Sequence, residues 1–220
     1  MVLALDTSSS TFSVAAAHGG RLLASAHLPQ RQAGAQLLPM LEEVLARAAL
    51  KPSQLAGLVA LRGPGSFTGL RIGLAAALGI HQASGIPATA LSTLEVLAAA
   101  APPGQEVASL VRGARGEWLV QRFASGPPPR PRSQPQRLTQ QAVLGLAIQL
   151  AVAADGLEVL RGAAFATLDP GPLAAVAAAY ASRFPPAWNP DLLTRPLYLA
   201  PPPATPPGAP KRVLPDGPPS

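Results

Sequence analysis

The chain has 220 residues, of which 48% are apolar and only 4% aromatic, with a formal net charge of +6 and a pI near 11.0. The absence of cysteine and the three scattered histidines exclude a disulfide framework and a Cys/His zinc cluster. We expect a soluble protein, because no apolar stretch approaches the roughly 18 to 20 residues of a membrane-spanning helix and the first residues do not resemble a signal peptide.

The first fifty residues predict an antiparallel meander followed by a helix. Apolar runs separated by polar and glycine turns predict strands at 2–5, 11–17 and 21–28. Apolar side chains at helical spacing then predict a helix over 37–50. Because proline is tolerated only near a helix start, Pro39 places that start at 36–38.

Strands and helices alternate in the next segment, with strands expected at 57–61 and 87–91 and helices at 70–83 and from Ser92 or Thr93 onward. This alternation favours a mixed or parallel sheet flanked by helices. The second half of the chain gives weaker signals, which we interpret as strands at 106–111, 117–123 and 156–160, helices at 139–153 and 172–183, and a loop at 124–136.

A Pro-Pro-Gly sequence at 102–104 marks a boundary, and we expect an N-terminal lobe at 1–104 and a smaller C-terminal lobe at 105–200. Residues 201–220 contain nine prolines and two sizeable aliphatic side chains. Ordering twenty residues costs on the order of 20–40 kcal/mol of backbone entropy, whereas two aliphatic side chains return roughly 3–6 kcal/mol. We therefore expect a disordered tail.

Six arginines lie between Arg112 and Arg137, against one acid, Glu117. Such a local excess of positive charge is compatible with nucleic-acid binding. However, no aromatic residues alternate with these arginines as they do in proteins that stack single-stranded bases. We therefore favour a solvated, arginine-rich loop and keep RNA contact as the alternative.

An acid and several hydroxyls follow the first predicted strand, namely Asp6, Thr7 and Ser8. In a phosphate loop, hydroxyls and turn amides donate to a phosphate while the carboxylate binds a metal ion or its waters. The other interpretation is a polar hairpin turn, because Asp and Ser side chains bond readily to nearby backbone groups.

A glycine-rich stretch, RGPGSFTGLRIG at 62–73, precedes the second predicted helix and contains Gly65, Ser66 and Thr68. A helix N-terminus preceded by free amides can bind an anion. The stretch lacks the lysine of a Walker A loop, and Thr68 occupies the place of the third glycine in the dinucleotide fingerprint. The other interpretation is a helix cap with close backbone packing.

Four segments together resemble the YeaZ/TsaB family, the threonylcarbamoyl-adenosine biosynthesis subunit: DTSSSTFSVAA, LLPMLEEVLARA, GPGSFTGLRIG and IPATALSTLEVLA. The resemblance covers roughly residues 2–100, and GPGSFTGLRIG is its most specific part. A fainter match is RPLYLA at 195–200, near the place where the family commonly ends in Pro-x-Tyr-Leu-Arg.

The resemblance implies an actin-like α/β fold of the actin/sugar-kinase/heat-shock superfamily, with two related lobes and mixed sheets flanked by helices. It implies a non-catalytic cytoplasmic subunit that supports the catalytic paralogue TsaD, with the ATPase TsaE, in transferring threonylcarbamoyl to a tRNA adenosine beside the anticodon. ATP and magnesium serve that assembly, tRNA is reached through the complex, and we assign no cofactor or metal to this chain.

In the resembled family, the helices equivalent to 37–49 and 70–83 pair with the paralogue, or with a second copy when the paralogue is absent. We therefore expect a partner and dimer interface made by these helices, through Leu37, Leu41, Val44, Leu45, Gly69, Leu70, Gly73, Ala76, Ala77 and Ile80. The other interpretation is that these stripes pack inside their own domain.

Several residues depart from the family pattern and put partner contacts in doubt. Ala33 stands where a histidine is common, Arg112 and Ala114 replace an Asp and an Arg, and Ala200 replaces the C-terminal Arg. An independent ATPase or kinase remains an alternative, although we do not interpret Asp155, Glu158, Asp169 or Asp191 of the second half as part of an acidic phosphate loop. A peptidase is disfavoured because the chain has no Gly-x-Ser-x-Gly elbow.

Overall fold

The computed structural model describes residues 1–29, 33–113 and 116–198. The predicted tail at 201–220 and the departures at Ala114 and Ala200 lie outside the described residues, as does the side chain of Ala33. Within the described ranges, no helix combines the length and the apolar character that crossing a membrane requires.

The first sheet has five strands in the order β3-β2-β1-β4-β5. The first three strands form the predicted antiparallel meander, while β4 pairs with β1 and β5 with β4 in parallel. The strands are β1 (Val2–Asp6), β2 (Thr11–His18), β3 (Arg21–Pro29), β4 (Gly57–Leu61) and β5 (Ala88–Leu91).

Both faces of the first sheet are buried under helices. Leu3 and Leu5 of β1 share a core with the helices α1 (Ala33–Arg47) and α2 (Phe67–Ser84). Val2 and Ala4 point to the opposite face, because side chains alternate along a strand, and they pack with α3 (Thr93–Ala99) and α5 (Leu173–Arg183).

The second sheet also mixes parallel and antiparallel pairs, with the strand order β11-β10-β6-β7-β8 and β9 paired to β7. A short helix, α4 (Gln140–Leu144), lies between β9 and β10 in the chain. The strands are β6 (Glu106–Arg112), β7 (Trp118–Ala124), β8 (Arg130–Pro131), β9 (Gln136–Leu138), β10 (Leu150–Val152) and β11 (Ala166–Leu168).

Two predictions for the second half were wrong. The helix expected at 139–153 ends at Leu144, since Gly145 terminates α4, and the apolar residues that follow form β10 alongside β6. The strand expected at 156–160 is a 3-10 helix, Leu157–Leu160. Short apolar runs of this kind are compatible with either a helix or a strand, and pairing with neighbouring strands decides between the two.

Two further boundaries differ from expectation. Helix α1 begins at Ala33 rather than at 36–38, with Pro39 inside it. Because proline has no N–H, the Ala35 carbonyl receives no helical hydrogen bond from residue 39. Ala35 and Pro39 are both exposed, so water can take the place of that donor. The segment predicted as a loop at 124–136 contains the two-residue strand β8 and ends at the start of β9.

The last described segment returns from the second sheet to the first. The Ala174 N–H donates to Ser13 Oγ at 3.2 Å, and the Gly20 N–H donates to Ser182 Oγ at 2.9 Å. Helix α5 therefore covers the first sheet although it follows the second in the chain. The division of the chain at residue 104 into separate lobes remains a prediction.

Candidate functional site

Asp6, the last residue of β1, is fully buried and both of its carboxylate oxygens accept hydrogen bonds from its own turn. Asp6 Oδ1 accepts from the Ser8 N–H at 2.7 Å and from Ser8 Oγ at 2.6 Å, and Asp6 Oδ2 accepts from Ser9 Oγ at 2.7 Å. This arrangement is the polar-turn alternative, in which the aspartate organises the backbone around it.

The pKa of Asp6 is raised above its usual value, chiefly because burial removes the charged carboxylate from water. Hydrogen bonds from Ser8 and Ser9 oppose this shift, while the negative charge of Asp155 adds to it. The contribution of Asp155 shows that an acid of the second half of the chain faces the Asp6 turn.

The glycine-rich segment 62–73 packs directly on the Asp6 turn. The Ser66 N–H donates to the Ser8 carbonyl at 2.8 Å. A Cβ atom at Gly65 would lie 2.3 Å from the same carbonyl oxygen, and one at Gly73 would lie 2.2 Å from Thr7 Oγ1. Glycine is therefore required at both positions for the loop and helix α2 to approach the turn this closely.

Ser66 is the N-cap of α2, and its hydroxyl accepts from the Gly69 N–H at 3.2 Å. The structure thus brings five of the six predicted phosphate-loop residues together: Asp6, Thr7, Ser8, Gly65 and Ser66. Thr68 is exposed and does not line the cleft beside them. The hydroxyls of Ser8, Ser9 and Ser66 are engaged in local bonds.

A cleft of about 40 Å³ lies beside this turn and is walled by both halves of the chain. Ligand pockets for drug-sized molecules and cofactors measure roughly 300–1,000 Å³. The cleft is therefore too narrow for a nucleotide in this conformation. Its polar lining consists of Ser8, Ser9, Ser66, Thr93, Arg112 and Asp155.

Asp155 is the functional candidate that sequence reasoning set aside. It follows β10 and accepts from the Ser10 N–H at 3.2 Å and from the Ser10 hydroxyl. Its position shortly after β10 parallels that of Asp6 at the end of β1, but the sequence did not show this parallel because the segment of β10 was predicted as a helix. Among the described residues, no three His, Cys, Asp or Glu side chains are grouped so that they could hold a metal ion.

Most of the predicted interface residues lie inside the core of the chain. The buried ones are Leu37, Val44, Leu45, Gly69, Leu70, Gly73 and Ala77. Leu41, Ala76 and Ile80 are half-buried and pack in part against the same core. Leu38, which the prediction omitted, is 59% exposed on α1.

A polar cluster at α3 was also missed from sequence. Tyr180 of α5 donates a long hydrogen bond of 3.5 Å to Glu95 Oε1. Burial raises the pKa of Glu95, although the hydrogen bond from Tyr180 and the positive charge of Arg62 act in the opposite direction. Burial and the neighbouring Glu95 raise the pKa of Tyr180 to about 12. Burial lowers the pKa of Arg62. The cluster joins the ends of β4, α3 and α5.

Two mixed sheets with flanking helices, and a cleft between them at the Asp6 turn, define an actin-like α/β protein. The family model for TsaD, tRNA N6-adenosine threonylcarbamoyltransferase, matches residues 26–126.

Two bacterial proteins named tRNA threonylcarbamoyladenosine biosynthesis protein TsaB are similar in sequence. The one from Haemophilus influenzae is 40% identical over 100 residues, which are 46% of this chain and 42% of that protein. The one from Escherichia coli is 35% identical over 97 residues, 44% of this chain and 42% of that protein. The match therefore spans less than half the length of these curated relatives.

Solved structures extend the likeness to most of the fold. YeaZ from Pseudomonas aeruginosa superposes with a TM-score of 0.71 at 26% identity, covering 90% of this chain and 99% of that one. A second structure, described as an uncharacterized protein with similarity to peptidase YEAZ from Pseudomonas aeruginosa, gives a TM-score of 0.70 at 27% identity with the same coverage. These relatives and structures confirm the resemblance to the YeaZ/TsaB family noted in the sequence.

Proposed function

We propose that this chain is a non-catalytic subunit of the assembly that makes threonylcarbamoyladenosine in tRNA, and that it supports a TsaD-type catalytic paralogue. The names of its relatives support the pathway, and the family model that matches residues 26–126 supports the kinship with TsaD. The ATPase TsaE is a further partner in this proposal, and the cytoplasm is its location.

The single observation that carries the non-catalytic role is the state of Asp6. A carboxylate that binds a metal ion or its waters must be accessible from the ligand's side. Asp6 is fully buried and uses both oxygens for Ser8 and Ser9 within its own turn. The burial of Asp6 and the small volume of the neighbouring cleft, about 40 Å³, support a structural role for the Asp6 turn.

The outer side of helices α1 and α2 is the surface that we propose for the paralogue, and for a second copy when the chain is alone. It presents Leu38, Leu41, Ile72, Ala76 and Ile80, all exposed or half-buried, and we call these five residues the outer face. Covering its four larger aliphatic side chains contributes at most about 6–12 kcal/mol. Association costs roughly 4–15 kcal/mol, so the margin is small.

Purification of the chain with and without its TsaD-type paralogue tests the proposal. We expect the chain alone to hydrolyse no ATP above a buffer control, and the mixture to co-elute as one species. Hydrolysis by the chain alone, retained after a further ion-exchange step, would contradict the non-catalytic role. Failure to co-elute at micromolar concentrations would contradict the subunit role.

An independent ATPase or kinase is the second candidate, and Asp155 is the observation that favours it. Superfamily enzymes use acids from both lobes, and Asp155 faces the turn of Asp6 across the cleft. However, Asp155 is engaged by Ser10 in this conformation. If the chain were such an enzyme, Asp155→Asn would abolish the ATP hydrolysis measured above.

A further inference from the structure

Three exposed arginines follow the outer edge of the second sheet. Arg130 lies in β8, Arg132 follows that strand, and Arg137 lies in β9. Both strands pair with β7, so the segment that carries these arginines forms the edge of the sheet. We call these three residues the arginine edge. The segment expected as a solvated loop therefore contains two short edge strands, and its three arginines are exposed.

The pairing register spaces these arginines along one strand. Arg130 is opposite Ala124, the Arg132 N–H donates to the Arg122 carbonyl at 2.8 Å, and Arg137 is opposite Leu119. Five residues of antiparallel strand separate the two ends of this series on β7, which corresponds to roughly 17 Å. Side chains alternate between the two faces of a sheet, so Arg130 and Arg132, opposite Ala124 and Arg122, lie on one face and Arg137, opposite Leu119, lies on the other. The positive charges therefore follow the edge of the sheet on both of its faces.

The arginine edge lacks the acidic partners that the neighbouring arginines have. Arg112 bonds to Glu158 at 3.0 Å and Arg122 to Glu106 at 2.8 Å. In the part of the chain that the structure describes, no ion pair involves Arg130, Arg132 or Arg137. The nearest acid in sequence is Glu117, which precedes β7 and lies beyond the Arg137 end of the arginine edge.

We propose that the arginine edge binds the phosphate backbone of RNA. Guanidinium groups make paired, charge-assisted hydrogen bonds to phosphate, and unpaired arginines along one edge provide several such contacts at once. The aromatic residues of β7, Trp118 and Phe123, are buried at 0% and 3% exposure, so the edge offers no stacking surface for bases. Recognition is therefore electrostatic and independent of sequence. That the RNA is a tRNA rests on the proposed function.

The competing explanation is that charged side chains on an edge strand only prevent pairing with other sheets. An acidic protein segment is a second competitor for the same charge. Salt dependence separates these possibilities, because each phosphate contact contributes about 0.7 to 0.9 to the slope of log affinity against log salt.

The experiment uses the full chain, a tRNA transcript and an unrelated RNA duplex of similar length, with affinities measured from about 50 to 200 mM salt. The test variant carries Arg130→Gln, Arg132→Gln and Arg137→Gln. The control carries Arg21→Gln, Lys51→Gln and Arg161→Gln, which remove the same charge from exposed positions outside β7, β8 and β9. Circular dichroism confirms that both are folded.

We expect the test variant to reduce the salt slope by about two to three, the control to change it by less than one, and both RNAs to bind within about threefold of each other. An unchanged slope in the test variant would overturn the proposal, as would equal losses in both variants. Polyglutamate that carries the same total charge as the RNA, added at the same concentration, tests the acidic-protein alternative. If it displaces the RNA, the RNA-binding proposal is overturned and an acidic protein segment is favoured as the partner. These measurements need no paralogue, so the two proposals can fail separately. If the chain binds RNA as expected but does not co-elute with its TsaD-type paralogue, the proposed function is contradicted and the RNA-binding proposal is not.

Discussion

Ser10 and Asp155 are hydrogen-bonded across the cleft, with the Ser10 nitrogen 3.2 Å from Asp155 Oδ2. Ser10 belongs to the turn that follows β1, and Asp155 follows β10 of the other sheet. The contact therefore ties the Asp6 turn to the second half of the chain. It holds Asp155 in a bond with a hydroxyl and a backbone amide, which is a structural use of that acid.

Replacing Asp6 should affect stability more than assembly. Asp6→Ala leaves the Ser8 N–H buried without its acceptor, whereas the Ser8 hydroxyl keeps its contact with Thr93 and the Ser9 hydroxyl keeps the Thr11 carbonyl. One unpaired buried group costs about 1–3 kcal/mol, and we expect urea denaturation to show a loss of about that size in the free energy of unfolding. At a temperature where the variant is folded, complex formation and tRNA modification should stay within a few-fold of wild type. A loss of modification of a hundredfold by a folded variant would restore a catalytic role for Asp6.

Alanine at the two glycines beside the Asp6 turn should be destabilising. At Gly65 the added Cβ meets the Ser8 carbonyl at 2.3 Å, and at Gly73 it meets the Thr7 side chain at 2.2 Å. We expect losses of about 1–3 kcal/mol, larger for Gly65→Ala because backbone yields less than a side chain. Gly79→Ala on the same helix is the matched control, since nothing lies within 4 Å of its Cβ position.

In that control, alanine should stabilise α2 by about 0.5–1 kcal/mol, because glycine is a poor helix former. Thermal unfolding of the three variants side by side measures the difference. Equal melting temperatures for Gly65→Ala and Gly79→Ala would show that the loop does not pack on the turn as described.

The burial of Glu95 predicts a pH dependence of stability. Burial raises the pKa of Glu95 above its ordinary value of 4.5, so the folded state holds this proton more tightly than the unfolded state. Stability from this group is therefore present below pH 4.5 and is lost as pH rises through the raised pKa of the folded state. Glu95→Gln should flatten that part of the curve, whereas Glu43→Gln, on an exposed residue, should not. Parallel curves for wild type and Glu95→Gln, from chemical denaturation at successive pH values, would contradict the shift.

The sequence patterns predicted the first sheet and the helices α1 and α2 on one of its faces because these elements carry strong local signals. The apolar runs of β1 and β2 between polar turns, and the apolar stripe of α1, each persist over several residues. The second half is different. Leu150, Ala151 and Val152 are three apolar residues in an alanine-rich run, and only pairing with β6 makes them a strand.

The candidate site was predictable in part for the same reason. Asp6, Ser8 and Gly65 stand in motifs that the chain displays locally, and the structure brings them together. Asp155 was set aside because its position depends on the misread strand β10. The burial of Leu37 and Val44 was not predictable from the stripe alone, because a helical stripe does not say whether it faces its own core or a partner.

Light scattering coupled to size-exclusion chromatography, on the chain mixed with its TsaD-type paralogue, tests the docking role of the outer face most directly. Ala76→Arg places a charge in that face, and Ala75→Arg places one beside it at an exposed residue in case the first variant is unstable. Ala142→Arg, exposed on α4, is the matched control. We predict that wild type and Ala142→Arg form the complex, and that both α2 variants elute as monomers with unchanged circular dichroism. Folded α2 variants that still bind the paralogue would contradict this account.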